Sequence, residues 1–370
     1  MMRREVVEQR QWLTDEEFLD LVGATNFIPG PNSTELAIHI GHRRAGFRGL
    51  LVAGACFILP AALITFGFAW LYVRFGRLPE AGAMLYCVKP VIVAVVVQAL
   101  WGLGRTAMKT RALAALGIAA VVATALGVHE LLVLFGAAAI YAMRRLPRAP
   151  VPAAAAEKSG KGEKGEKGES AVLLVAAPAA ATAAATAAAT AAVVAPASML
   201  SVFLVFAKIG SVLFGSGYVL LAFLRSDLVI DRHWLTEGQL LDAVAVGQLT
   251  PGPVFTTATF VGYLLGGAAG AAAATAGIFL PAFVFVAVSG PLLPKLRRSP
   301  RAGSFLDGLN VASLALMAVV TASLGRAALV DEWTVVIALA SAALLLRTKI
   351  NSAWLVLGGA VAGNIIAALR

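Results

Sequence analysis

Charge is scarce in this chain. Lys, Arg, Asp and Glu together make up 14% of the 370 residues, where a soluble domain carries about a quarter. Cysteine is scarcer still: Cys56 and Cys87 both lie inside apolar stretches, which excludes a disulfide framework. Four histidines, His39, His42, His129 and His233, never form an HxxxH or HExxH pair, so neither a metal site nor a metal cofactor is expected. No nucleophile–base pair stands out, and an enzyme is not expected. Residues 1–17 are polar and mixed in charge, unlike a secretory leader.

What the chain has instead is apolar surface. It is 59% hydrophobic with a mean hydropathy of +0.84, and runs such as 50–73 and 199–224 are each long enough to cross a hydrocarbon core of about 30 Å. The expected fold is an all-α polytopic membrane protein with about 11–13 membrane segments. The net charge of +10 sits mostly between apolar runs, a pattern that sets membrane topology and does not form a nucleic-acid surface.

The chain also contains itself twice. Trp12-Leu13-Thr14 through Pro29-Gly30-Pro31 to Thr34 returns 222 residues later as Trp234-Leu235-Thr236, Pro251-Gly252-Pro253 and Thr256, with ten of 23 positions identical. Upstream, Arg3 and Arg10 match Arg225 and Arg232. After a one-residue slip, Gly41, Gly46, Gly49, Leu59 and Pro60 match Gly262, Gly267, Gly270, Leu280 and Pro281. Tryptophan, proline and arginine at fixed spacing exclude low complexity as the cause. Two homologous halves, 1–143 and 198–370, therefore flank a segment of different composition, 144–197. Its first part (KSGKGEKGEKGES) reads as a solvated linker. Residues 171–196 are almost pure Ala, Thr and Val, long enough to span but only weakly apolar.

Loop charge tests orientation. Arg43, Arg44 and Arg48 face an uncharged counterpart at 264–269, whereas the modestly charged loop 74–82 faces Lys295, Arg297, Arg298 and Arg301. Arg105, Lys109 and Arg111 face Arg326, Asp331 and Glu332; the slightly acidic 128–130 faces Arg347 and Lys349. The bias reverses at every matched loop, so the halves are expected to sit upside down relative to one another, as in inverted-repeat transporters. Residues 160 and 298 are then both cytoplasmic. If the Pro-Gly-Pro segments cross fully, 171–196 crosses once; if they are re-entrant, it need not. We expect the first arrangement. The first half has no counterpart of the apolar segment 199–224 before Arg3, and a start of the coding sequence further upstream is favoured over a truncated copy.

Each half breaks a span-length apolar segment (18–42 and 239–265) with Pro-Gly-Pro. Proline removes a donor and glycine permits non-helical backbone, so the helix ends there and its successor presents free N–H groups and a positive dipole end suited to an anion. Such breaks are tolerated at membrane depth where they are buried or line a cavity. The polar residues there are Asn26, Gly30, Asn32, Ser33 and Thr34 in one half, and Gln248, Thr250, Gly252, Thr256 and Thr257 in the other. Simple packed kinks are the competing reading. Lys208, with Ser211 and the run Gly215-Ser216-Gly217-Tyr218, forms the third element of the expected substrate site, unless the lysine snorkels to the interface. Lys89 is expected to snorkel. Asp20 and Asp242 recur as proton carriers or as capping and pairing residues. Glu35, opposite Thr257, pairs with a base or couples a proton or cation.

These residues resemble the chromate ion transporter family. The carriers are VVEQRQWLT, IPGPNST, IG and LP within 6–60, then FAKIGSVLFGSGYVLLAFLRSDLV, WLT and LTPGP within 206–253. The missing FGGP-type leading helix of the first half departs from the pattern. The resemblance implies a multi-pass protein of the bacterial inner membrane that exports chromate and confers resistance, with two halves of opposite orientation and no cofactor. Sulfate or another oxyanion is the alternative substrate and an uncoupled channel the alternative mode. Its partners are the oxyanion and the lipid bilayer, with no nucleic acid and with a homodimer left open. A dianion leaving a negative interior gains about 4.6 kcal/mol per 100 mV, which favours efflux.

Overall fold

In the computed structural model, residues 2–75, 79–144, 198–214, 217–250, 252–289, 299–348 and 352–369 are described. The linker and the run 171–196 fall outside them, as do residues 160 and 298, so the expectations placed there are not addressed by the fold. Regular structure among the described residues is helical throughout. The first half comprises α1 (Asp15–Thr25), α2 (Asn32–Phe75), α3 (Pro79–Ala107), α4 (Arg111–Ala125) and α5 (Glu130–Arg144). The second comprises α6 (Met199–Val212), α7 (Leu220–Leu224), α8 (Glu237–Leu249), α9 (Thr257–Ser289), α10 (Pro300–Ala328), α11 (Glu332–Arg347) and α12 (Ser352–Leu369). Four stretches, 32–75, 85–107, 254–289 and 301–328, are long and apolar enough to cross a bilayer. This is a multi-pass membrane protein.

The same local chemistry builds the matched elements. Thr14 and Glu17 close a capping box at the start of α1; Thr236 and Gln239 close one at the start of α8. Each helix is preceded by a π-helical turn, Arg4–Gln9 or Arg225–Asp231. Arg3 pairs with Asp15 at 2.7 Å and Arg225 with Glu237 at 2.7 Å, while Arg10 and Arg232 lie over Trp12 and Trp234 at 5.1 and 5.0 Å. These arginines brace the two turns.

Helices α2 and α9 are each two arms joined by a sharp turn. Gly46 has φ 58 and ψ −145; Gly267 has φ 58 and ψ −146, a conformation that only glycine adopts cheaply. Across the turn the arms touch through glycine: a Cβ on Gly49 would lie 2.0 Å from the Gly41 carbonyl, and one on Gly270 2.2 Å from that of Gly262. In lipid, where apolar side chains gain little from each other, such close approach supplies the packing.

The helices flanking each Pro-Gly-Pro fold back on one another, where the sequence reading expected one segment that runs straight through. In a continuous helix Glu17 and Arg43 would be about 39 Å apart. They form an ion pair at 2.6 Å. Phe18 and Leu21 of α1 share an apolar cluster with Leu36 and Ile40 of α2. Thus α1 enters, the chain turns at 26–31, and residues 32–44 return to the same side. Each arm is too short to span, at roughly 16 and 20 Å. In the second half, Tyr72 donates to Asp242 at 2.8 Å and meets Phe260 edge-on with ring centroids 5.2 Å apart, so residues on either side of the second turn lie close together. Lys208 of α6 and Asp227, 2.5 Å apart, show that the segment broken at 213–218 folds back as well.

The halves interlock. Helix α3 packs on α11 and α12, and its counterpart α10 packs on α4 and α5. The second arm of α2 runs antiparallel to that of α9, with Leu50 clustered with Val286 and Gly54 against Phe283.

Candidate functional site

The three turns meet. The N–H of Gly30, at the first Pro-Gly-Pro, donates to the carbonyl of Leu213 at 2.7 Å. Gly217 lies against Val254, just past the second Pro-Gly-Pro, and Tyr218 donates to Gln248 at 3.3 Å. Each Pro-Gly-Pro glycine also touches the proline-containing arm of the opposite half. A Cβ on Gly30 would lie 3.7 Å from Ala282, beside Pro281; one on Gly252 would lie 2.3 Å from Ala61, beside Pro60. Thr65 of that arm donates to Thr250 at 3.2 Å. Gly30 has φ +139, so its own backbone requires glycine.

Hydrogen bonds tie each turn locally. Asn32 donates to Asn26 at 3.1 Å across the first turn, and Asn26 donates to the Val22 carbonyl at 3.3 Å. The carbonyl of Pro31 accepts from Thr34 and Glu35, and Thr256 donates through its hydroxyl to the Pro253 carbonyl. Several buried polar atoms have no partner: the hydroxyls of Thr34 and Thr257, Nε2 of Gln248, and both carboxyl oxygens of Glu35. Buried polar groups are ordinarily satisfied, so these atoms are available to a further partner at each turn.

The expected residues are distributed as follows. Asn26, Gly30, Asn32 and Thr34 belong to the first turn, with Ser33 exposed beside them. Gln248, Gly252, Thr256 and Thr257 belong to the second. Gly217 is at the third, and Gly215 and Ser216 lie outside the described residues. Ser211 donates to the Ala207 carbonyl within its own helix. Lys208 is held by Asp227, a buried carboxylate one short helix away. Lys89, expected to snorkel, instead bonds the buried Asp242 at 3.3 Å, an ion pair between the halves.

A polar cavity of about 710 Å³ leads to the first turn. Asn26, Asn32, Thr106, Asn310 and Ser313 line it, together with Lys109 and Asp307, which lie 3.2 Å apart. In the other half, Ile92, Val93 and Leu324, the counterparts of Ser313, Leu314 and Leu103, pack with Leu221, Leu241 and Val244 around a space that admits no water. Sequence reading missed Thr65, Asn310 and Ser313. Their only signal was position: Thr65 follows the recurring Leu-Pro of α2, and Ser313 matches Ile92.

The signature of the chromate transporter family matches residues 1–142 and again 200–364, the two halves on either side of the linker. The chain is 30% identical to the chromate transport protein of Cupriavidus metallidurans, over 99% of this chain and 87% of that one. It is 31% identical to the chromate transport protein of Pseudomonas aeruginosa, over 99% and 86%. A probable chromate transport protein of Synechococcus elongatus is 28% identical over 91% of the chain and 82% of its own length. No solved structure matches. With both halves matched and relatives aligned from end to end, the chain belongs to the chromate transporter family.

Proposed function

We propose that the protein is a secondary transporter that exports chromate across the cytoplasmic membrane, binding the dianion where the three turns meet. The observation that carries this reading is the convergence itself. The turns before the starts of α2 and α9, where the positive ends of their dipoles lie, each contact the third turn, and each carries unsatisfied hydroxyl, carboxyl or amide groups. A tetrahedral oxyanion has acceptors on every side and needs only donors; no nucleophile or metal is required to move it.

The cavity supports the direction. It reaches the surface at Lys109, within the Arg105–Arg111 loop whose charge matches the cytoplasmic side by the positive-inside rule. Antiparallel packing of the matched arms of α2 and α9 supports inverted halves. This arrangement loads from the cytoplasm. Expulsion of a dianion then proceeds with the potential, by about 4.6 kcal/mol per 100 mV.

The test is protection of a reporter cysteine. With Cys56 and Cys87 replaced by Ser, Asn32→Cys in everted vesicles should react with a membrane-impermeant thiol reagent, and chromate should slow the reaction at least fivefold. Labelling from the other face only, or no protection at any chromate concentration, overturns the site and its sidedness. Stronger protection by sulfate than by chromate would reassign the substrate within the same site.

A further inference from the structure

Glu35 has no role in the anion site as drawn, yet it is fully buried and both its carboxyl oxygens lack partners. It stands in the first turn of α2, and its Oε1 occupies the space a Gly30 side chain would fill, 2.2 Å from the Cβ position. It therefore presses on the turn whose other side opens to the polar cavity. The matched residue in the second half is Thr257, whose hydroxyl lies against Gly247 of α8 and not against the Pro-Gly-Pro glycine. One turn carries a carboxyl where the other carries a neutral hydroxyl.

No ion pair involving Glu35 is found among the described residues. On its own helix the titratable groups are His39, one turn on and buried with Nε2 unpartnered, then His42 and Arg43, the latter held by Glu17. Ala282 of α9 lies beside Gly30 and belongs to an apolar cluster with Ile28, Ile38, Leu50 and Val286, none of them ionisable. Helix α1, which packs on α2, carries Asp15, Glu16, Glu17 and Asp20 as its titratable residues. From α6 the contact is the Leu213 carbonyl, and Lys208 of that helix is held by Asp227.

We propose that Glu35 is a proton-binding site linked to the oxyanion site: the loaded turn holds Glu35 as the neutral acid. This rests on the placement of the anion at the turns. A carboxylate and a dianion sharing one desolvated turn repel each other, so anion binding favours the proton and the proton favours anion binding equally. The step balances simply, carboxylate plus proton giving carboxylic acid on loading and the reverse on release. One proton then accompanies each dianion, and the net charge moved falls from two to one.

The experiment compares wild type with Glu35→Gln, which is neutral at every pH, and Glu35→Thr, the residue of the matched position, in case the first fails to insert. Chromate binding to purified protein is measured against pH, and proton movement with chromate is followed by a pH dye inside vesicles clamped at zero potential. Protonation of chromate itself is common to all three proteins and cancels in the comparison. Once the empty wild type loses its proton, its binding should weaken by up to about tenfold per pH unit relative to the variants. Wild type should also move protons that the variants do not. Superimposable pH profiles with proton movement unchanged overturn the assignment and leave the anion site standing. Absence of chromate binding in wild type overturns both.

Discussion

Adding a single methyl group at Gly252 should stop the transporter, and the structure says where the cost arises. The backbone of Gly252 does not have a positive φ, so alanine carries no conformational penalty there. The penalty is steric. Its Cβ would lie 2.3 Å from that of Ala61 in the opposite half, and relieving the clash needs the second turn and α2 to part by roughly 1 Å. Overpacking of this kind costs about 1–3 kcal/mol. Charged to the geometry of the site, that corresponds to a loss of about 5- to 150-fold in chromate flux, with the protein still inserted. The assay is initial chromate uptake into everted vesicles, normalised to protein in the membrane. Ala61→Gly removes the group with which the new methyl collides, so Gly252→Ala/Ala61→Gly should recover most of the flux, and the two substitutions should be strongly non-additive. A Gly252→Ala protein with wild-type flux, or a double variant no better than the single one, would refute the contact or its importance.

Other substitutions separate conformational from electrostatic costs. Gly46→Ala and Gly267→Ala meet no atom within 4 Å but force alanine to φ 58, so each should lower thermal stability in detergent by about 1–3 kcal/mol. Lys89→Ala strands the buried Asp242 charge and should cost about 3–5 kcal/mol; Lys89→Ala/Asp242→Asn should restore most of the lost stability. Lys208→Ala likewise strands Asp227, and Lys208→Ala/Asp227→Asn should regain stability in a melting assay without regaining chromate flux. Recovery of flux in that double variant would reduce Lys208 to a partner for Asp227.

The local features were legible because they are short-range. Thr14 with Glu17 and Thr236 with Gln239 announce helix starts, and Pro-Gly-Pro announces where helices stop. Gly46 and Gly267 stood out as matched glycines, and the structure gives them the same dihedral angles. What hydropathy could not tell is the direction taken after a break. The segment 18–42 has span length whether it continues or folds back, and the choice is fixed by contacts such as Arg43 with Glu17 and Leu21 with Leu36. The assembly of the site was hidden for a related reason. Gly30 meets Leu213, Gly252 meets Ala61 and Lys89 meets Asp242, each across the two halves and more than 150 residues apart in sequence. Such pairs carry no local pattern. Lys89 therefore read as a lone interfacial lysine.

The most direct test of the central claim is chromate uptake into everted membrane vesicles under an imposed potential, with sulfate as competitor. The account predicts saturable uptake that rises when the vesicle interior is made positive, survives excess sulfate and disappears in Gly252→Ala. Uptake indifferent to potential, or absent while the protein is present in the membrane, would contradict it.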